Sequence, residues 1–436
     1  MNLRVVRLLA VGCCLSFLVF AQSEDKYSIN QRITRIRELG KRDPSVIPAL
    51  AQYLSDPNRD IRLEAVKAIV KLDTDRSLEP LARAEHDNDP EVQIRAADGL
   101  VNYYLPGYVV KSGLTGSVTR GVRQVKSFFA SRNDQVIDAS KQVRPEVADA
   151  LAYVIRGSAS MDARANAARA AGILHANADV PALLDALRSK DNEVIFESLV
   201  ALQKIDDPQA CSGVRFLALD LDDRIQMTAL ETIGDLKCLD CAPQVRSALT
   251  AGRNVKIRRS ALEALAMLGI PGDRAIFQQS INDRDPEVRA AALEGLGRIR
   301  EPQDYPAIEQ AYNEQNADWR VHLAAAFALA NEGKVDTGDF SPLSYLVENL
   351  DSRSRAYVSL AYLKELARRD DVRRALFPLT PQATKDQKIA LCQIFAASKS
   401  EDVVPVLNSL EKDIDPDVAL AASKAMRTVE ARKTSE

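Results

Sequence analysis

The stretch Asn282–Arg300, NDRDPEVRAAALEGLGRIR, reads as a single helix with its start signal attached. The Asp285 carboxylate can accept a bond from an unpaired amide of the first turn. Pro286 follows at the first helical position, where a missing N–H costs nothing. Val288, Ala292, Leu296 and Ile299 then recur at helical spacing and mark one apolar face.

The same pattern recurs along the chain. Aligning on the capping residue gives the column Asn58, Asp89, Ser160, Asp191, Asp222, Asn254, Asp285, Asp318, Ser354, Thr384 and Asp415. Most steps lie close to 31 residues; the exception is the 71 residues from Asp89 to Ser160. Three positions on stands a mostly apolar residue (Ile61, Val92, Val194, Ile225, Ile257, Val288). Seven positions on stands a small one (Ala65, Ala96, Ala167, Ala229, Ala261, Ala292). Small residues at a fixed height let helices approach closely. A second helix precedes each of these, marked by a proline near its start: Pro48, Pro80, Pro181, Pro243, Pro306, Pro342, Pro405. Each repeat is therefore a helix A, a short turn and a helix B, and neither helix buries its apolar face without its neighbours. Ser28 fits the capping column 30 residues before Asn58, so the helix it opens reads as an N-terminal capping element.

The Asp-Pro-Glu-Val-Arg run at 285–289, its relatives at 89–92 and 415–418, and the Ala-Ala-Leu-x-x-Leu-Gly run at 291–297 resemble HEAT-like repeats of the phycobilisome-lyase type. The resemblance implies an all-α, right-handed α-solenoid of about ten to eleven helix-turn-helix repeats, with helix B of each on the concave side. It also implies a ladder between repeats, made by the capping Asp and the Arg four positions on. Arg62, Arg164, Arg258 and Arg289 fit that ladder, with Lys388 a near fit. Gln93, Ile195, Gln226, His322, Val358 and Ala419 depart from it.

At the start, Arg4 and Arg7 precede an apolar run from Leu8 to Phe20, and Val19-Phe20-Ala21 offers a cleavage site. This is the three-part pattern of a secretory signal, and the run is short for a membrane span. Cleavage after Ala21 is expected, with lipoprotein anchoring through Cys13 as the second reading. The destination would be the periplasm or outside. The organisation expected is 1–21 signal peptide, 22–104 capping helix and repeats, 105–144 inserted segment, 145–430 repeats, 431–436 polar tail.

The insertion holds seven basic residues against Asp134 and Asp138, in a chain of formal net charge −3. That balance excludes a globally basic nucleic-acid binder. Long departures from a repeat tend to lie on one face and to carry function. Tyr103, Tyr104, Tyr108, Arg120, Arg123 and Lys126 are therefore candidate contacts to an acidic protein partner, with a membrane surface as a second class. In helix B the ninth position after the cap is Glu231, Glu263 and Glu294 in successive repeats. Stacking would align them as an acidic ridge, a site for a cation or basic peptide, with a solvated helix face as the favoured explanation. Trp319, Phe327, Tyr345, Tyr357 and Tyr362 gather where the repeat loosens, as core filling or as a groove for a peptide.

Among Cys211, Cys238 and Cys241 a structural disulfide is expected in an oxidising compartment, within the turn or between repeats. Cys392 reads as an inert core thiol. The three histidines lack metal-ligand or nucleophile spacing, and no phosphate loop or nucleophile elbow is present. The sequence therefore reads as a monomeric, non-enzymatic scaffold without cofactor or metal, whose extended helical surface binds a protein or peptide. The alternative is a lyase-like or chaperone-like subunit handling a bilin or other cofactor.

Overall fold

The computed structural model describes residues 28–109, 136–138, 141–252 and 254–433. The expected signal peptide and most of the inserted segment lie outside them. The described residues fall into two compact units, one formed by 28–109 with 143–201, the other by 202–433 with 136–138 and 141–142.

Among the described residues both units are helical, and both are stacks of A and B helices. In the first, B helices Arg59–Leu72, Pro90–Tyr104 and Met161–Ile173 pack in sequence. Pro90–Tyr104 rests directly on Met161–Ile173, so the insertion between them leaves the stack unbroken. In the second, Asp223–Asp235, Val255–Leu268, Pro286–Ile299, Trp319–Glu332, Ala356–Leu366, Lys385–Ala397 and Pro416–Lys433 each pack on the next. Helix A of each repeat covers the other side, as Ala242–Ala251 does on Val255–Leu268.

Small residues set the spacing. Ala65, Ala96, Ala167, Ala229, Ala261, Ala292, Ala325 and Ala422 are fully buried between helices. Gly297 shows the limit: a Cβ there would lie 2.5 Å from Ala328 Cα on the next B helix. Gly295 likewise admits the ring of Phe277, which a Cβ would meet at 2.6 Å.

Caps form where the column places them, with one exception. Asn58, Asp89, Ser160, Asp191, Asp222, Asn254, Asp285, Asp318 and Thr384 each accept a backbone amide of the following first turn. Ser354 does not. Its helix starts later, at Ala356, after a turn that places Arg355 at the boundary. The prolines at 48, 181, 243, 306, 342 and 405 occupy the first or second position of their A helices.

The ladder differs from the one the resemblance implied. The cation four positions after a cap bonds to the residue two before the next cap, which also receives its own cap's amide. Arg62 thus donates to Asp87 at 2.6 and 2.9 Å, while Asp87 accepts the Asp89 amide at 2.8 Å. Arg32 with Asp56 (2.6 Å) and Lys388 with Asp413 (2.7 Å) repeat the arrangement. Arg164 and Arg258 instead turn to carbonyls of their own repeats, at Ile155 and Gly252. The capping carboxylates take an amide on one oxygen, and where the other meets a cation it comes from a different position: Arg59 donates to Asp89 and Arg259 to Asp285.

Candidate functional site

The glutamates of the expected acidic ridge do not lie on a fully solvated face. Glu231, Glu263 and Glu294 occupy one height on three stacked B helices, and all three are half-buried. Burial, then the fields of Glu294, Glu231 and Glu287, push the Glu263 carboxyl up to about 8, with Arg259 opposing. Like charges within one low-dielectric surface cannot all ionise at ordinary cost.

The row closes on a partner cluster that the sequence did not announce. Arg298, one helical turn beyond Glu294, donates to it at 2.9 Å and reaches Glu365 with two bonds of 2.9 Å. Its guanidinium lies over the Phe327 ring, 4.8 Å from the centroid. The Tyr362 hydroxyl donates to the other Glu294 oxygen at 2.5 Å, and its ring stacks on Phe327 at 4.7 Å. Burial opposes the charge on both Arg298 and Glu365. The pairing outweighs it, holding Glu365 below the ordinary carboxylate range and Arg298 above its usual value. Tyr362 is pushed well up, by burial and then by Glu294. The face thus carries Glu231, Glu263, Glu294 and Glu365, with Arg298 between the last two and Lys237 and Arg368 acting on Glu365. Arg259 also acts on this face, and Glu263 is the carboxyl that burial and its neighbours push toward the neutral form.

Phe327 and Tyr362 therefore belong to the core and to this cluster, while Tyr357 is exposed and Trp319 and Tyr345 are half-buried. The tyrosines beside the insertion also turn inward. Tyr104 and Tyr108 are buried, and the Tyr104 hydroxyl accepts the Arg144 amide at 3.1 Å. Rings so placed cannot serve as exposed docking groups, which corrects that expectation. Tyr103 is half-buried, edge-on to Tyr104, with its hydroxyl 3.4 Å from Asp75. Arg120, Arg123 and Lys126 lie outside the described residues. Cys211 is bonded to Cys238, and Cys241 and Cys392 are buried thiols. Among the described residues, no group of three or more His, Cys, Asp or Glu is placed to hold a metal ion. No described helix is long and apolar enough to cross a membrane.

From sequence alone Arg298 and Glu365, which pair across 67 residues, are missed, and Tyr362 is given without its bond to Glu294, 68 residues away. A usable signal was the cation following Glu294 at i+4, since such pairs meet on a helix face.

Family models of HEAT repeats match residues 19–101, 242–330 and 274–380, just over half of the chain. The chain belongs to the HEAT-repeat family. No curated protein sequence matches this HEAT-repeat protein. Among solved structures it is similar to an engineered protein, at 16% identity, covering 88% of this chain and 98% of that one, with a TM-score of 0.34. It is also similar to the complex of CpcE and CpcF of phycocyanin lyase from Nostoc sp. PCC7120, at 17% identity over 66% and 94% of the two chains, TM-score 0.34. Importin beta is 12% identical over 88% and 57%, TM-score 0.39. At these scores none of the three bears on function.

Proposed function

We propose that this HEAT-repeat protein is an exported, non-enzymatic scaffold that binds another protein along its B-helix face. The half-buried row of Glu231, Glu263 and Glu294, in which burial and the neighbouring carboxylates push Glu263 up to about 8, supports the reading. A Lys- or Arg-bearing segment laid across the row would bring a further cation to Glu263, which would ionise as it binds. Charge complementarity of this kind sets partner choice and association rate.

The test is fluorescence anisotropy of a labelled oligolysine or Arg-rich peptide, titrated with the protein at low and moderate salt. Neutralising E231Q, E263Q and E294Q together should weaken binding at least about tenfold at low salt, equivalent to roughly 1.4 kcal/mol. Equal affinity for the triple variant would end this assignment of the face. Export is supported by Arg4, Arg7 and the apolar run that follows. It is checked by N-terminal sequencing of the protein from separated cell fractions. A lyase-like role would announce itself as visible absorption retained after incubation with a bilin.

A further inference from the structure

Three cysteines meet at one joint between repeats. Cys211 opens the A helix Cys211–Val214, and Cys238 lies in the turn before the next A helix, so their bond ties one repeat to its successor across 27 residues. Cys241 is a fully buried thiol whose Sγ lies 3.5 Å from the carbonyl oxygen of Cys211. Its backbone N–H donates to the Cys238 carbonyl at 2.9 Å, closing a 3-10 turn over Leu239–Cys241. The ends of such a turn lie within about 7 Å, close to the largest Cα separation a disulfide spans, about 6.8 Å. Cys238 thus has Cys211 as its bonded partner and a second cysteine, Cys241, one turn away. Burial raises the Cys241 thiol, and the nearby Arg215 guanidinium opposes it by favouring the thiolate.

We propose that this joint is a thiol–disulfide exchange site, in which Cys241 displaces Cys211 from Cys238 and moves the bond from between repeats to within one turn. Cys241 gives up its proton and its thiolate attacks Cys238 Sγ. The Cys238–Cys241 bond forms as the Cys211–Cys238 bond breaks. The electron pair leaves on Cys211 Sγ, which takes up a proton. Nothing is oxidised or reduced overall, so no outside oxidant is needed. Exchange also moves the free thiol from a fully buried position to Cys211, which is half-buried at the start of its helix. The joint thus has a covalently tied form and a released form, and the released form presents a thiol to solvent.

The experiment uses the purified full chain under native conditions at pH 7 and pH 9. A pulse of iodoacetamide is followed by acid quench, proteolysis and non-reducing peptide mapping. The expected result is label accumulating on Cys211 together with a Cys238–Cys241 linkage. The rate should rise by about tenfold per pH unit while the attacking thiol remains mostly protonated. R215M should slow it several-fold, and C241S should keep the Cys211–Cys238 bond with Cys211 unlabelled. Prolonged incubation at pH 9 that leaves only Cys211–Cys238, with Cys211 unlabelled, overturns the proposal. So does labelling of Cys211 in C241S at the wild-type rate.

Discussion

Asp179 is buried beside Asp149, where a later repeat sets an arginine against the equivalent aspartate. Asp179 and Asp304 each end the 3-10 turn that leads into a helix A. Arg274, thirty residues before Asp304, donates to it at 2.7 and 2.8 Å. Thirty residues before Asp179 stands Asp149, and both Asp179 oxygens lack a hydrogen-bond partner. Burial, then Asp149, push the Asp179 carboxyl up to about 8, with Arg156 opposing. Arg156 itself lies 3.7 Å from Asp185 and is shared.

A pH dependence follows. The unfolded chain loses this proton near pH 4, while the folded one keeps it to about 8. The contribution is complete below the unfolded value and is lost as pH rises through the interval to the folded one. Thermal or urea unfolding should therefore show stability declining from pH 4 to pH 8. Asp179→Asn should flatten that decline, by at most about 6 kcal/mol on the conversion of shift to energy. A profile of unchanged slope in the variant would show that Asp179 does not hold the proton.

Removing Arg298 should be among the most damaging single changes in the second unit. It is nearly buried and holds Glu294 and Glu365 together. Arg298→Met leaves two half-buried carboxylates without their shared cation, and breaking such a pair costs about 3–5 kcal/mol. Adding Glu365→Leu should restore part of the loss, because the abandoned charge goes with it. Urea denaturation of the single and double variants measures both. If the double variant is no more stable than the single, the pairing is not what holds this cluster.

Caps give a finer test of the repeat register. Asp191 accepts the Glu193 and Val194 amides at 3.0 and 3.1 Å, so Asp191→Ala should cost about 1 kcal/mol. Ser354, in the same sequence column, is exposed and caps nothing. Ser354→Ala should stay within about 0.5 kcal/mol of wild type. Equal losses would mean that the column, and not the structure, reports the cap at 354.

These two positions show how far the sequence could be read. The repeat, the A and B helices and the small-residue column were legible because each is local: a cap, a proline or an alanine acts within a turn or two of itself. The ladder was displaced by two residues because Asp87 and Asp413 look like loop residues until they are seen receiving both a cap amide and a cation from the preceding repeat. Glu263 was read as solvated because a glutamate on a helix face usually is. The register shows that its neighbours are also glutamates; only the structure shows that the face is half covered. The inward turn of Tyr104 depends on Arg144, beyond the insertion, and no spacing rule crosses forty residues.

A last regularity concerns how the B helices end. Asp73, His175, Asp206, Lys237, Gly269, Arg300, Gly333 and Lys399 all have positive φ just past a B helix, and only two of them are glycine. The left-handed conformation lets the chain reverse into the next helix A, and it costs an ordinary L-residue about 1–2 kcal/mol. Glycine avoids that cost but loses about 0.5–1 kcal/mol of backbone entropy. Lys399 is exposed, with φ of 59°, so its side chain contributes little packing to offset the strain. Lys399→Gly should therefore raise stability by about 0.5–1 kcal/mol, read as a higher denaturation midpoint. Lys399→Val should lower it, since a β-branched residue tolerates positive φ least. Should the glycine variant be the weaker of the two, the turn is not left-handed in solution and the reversal is made another way.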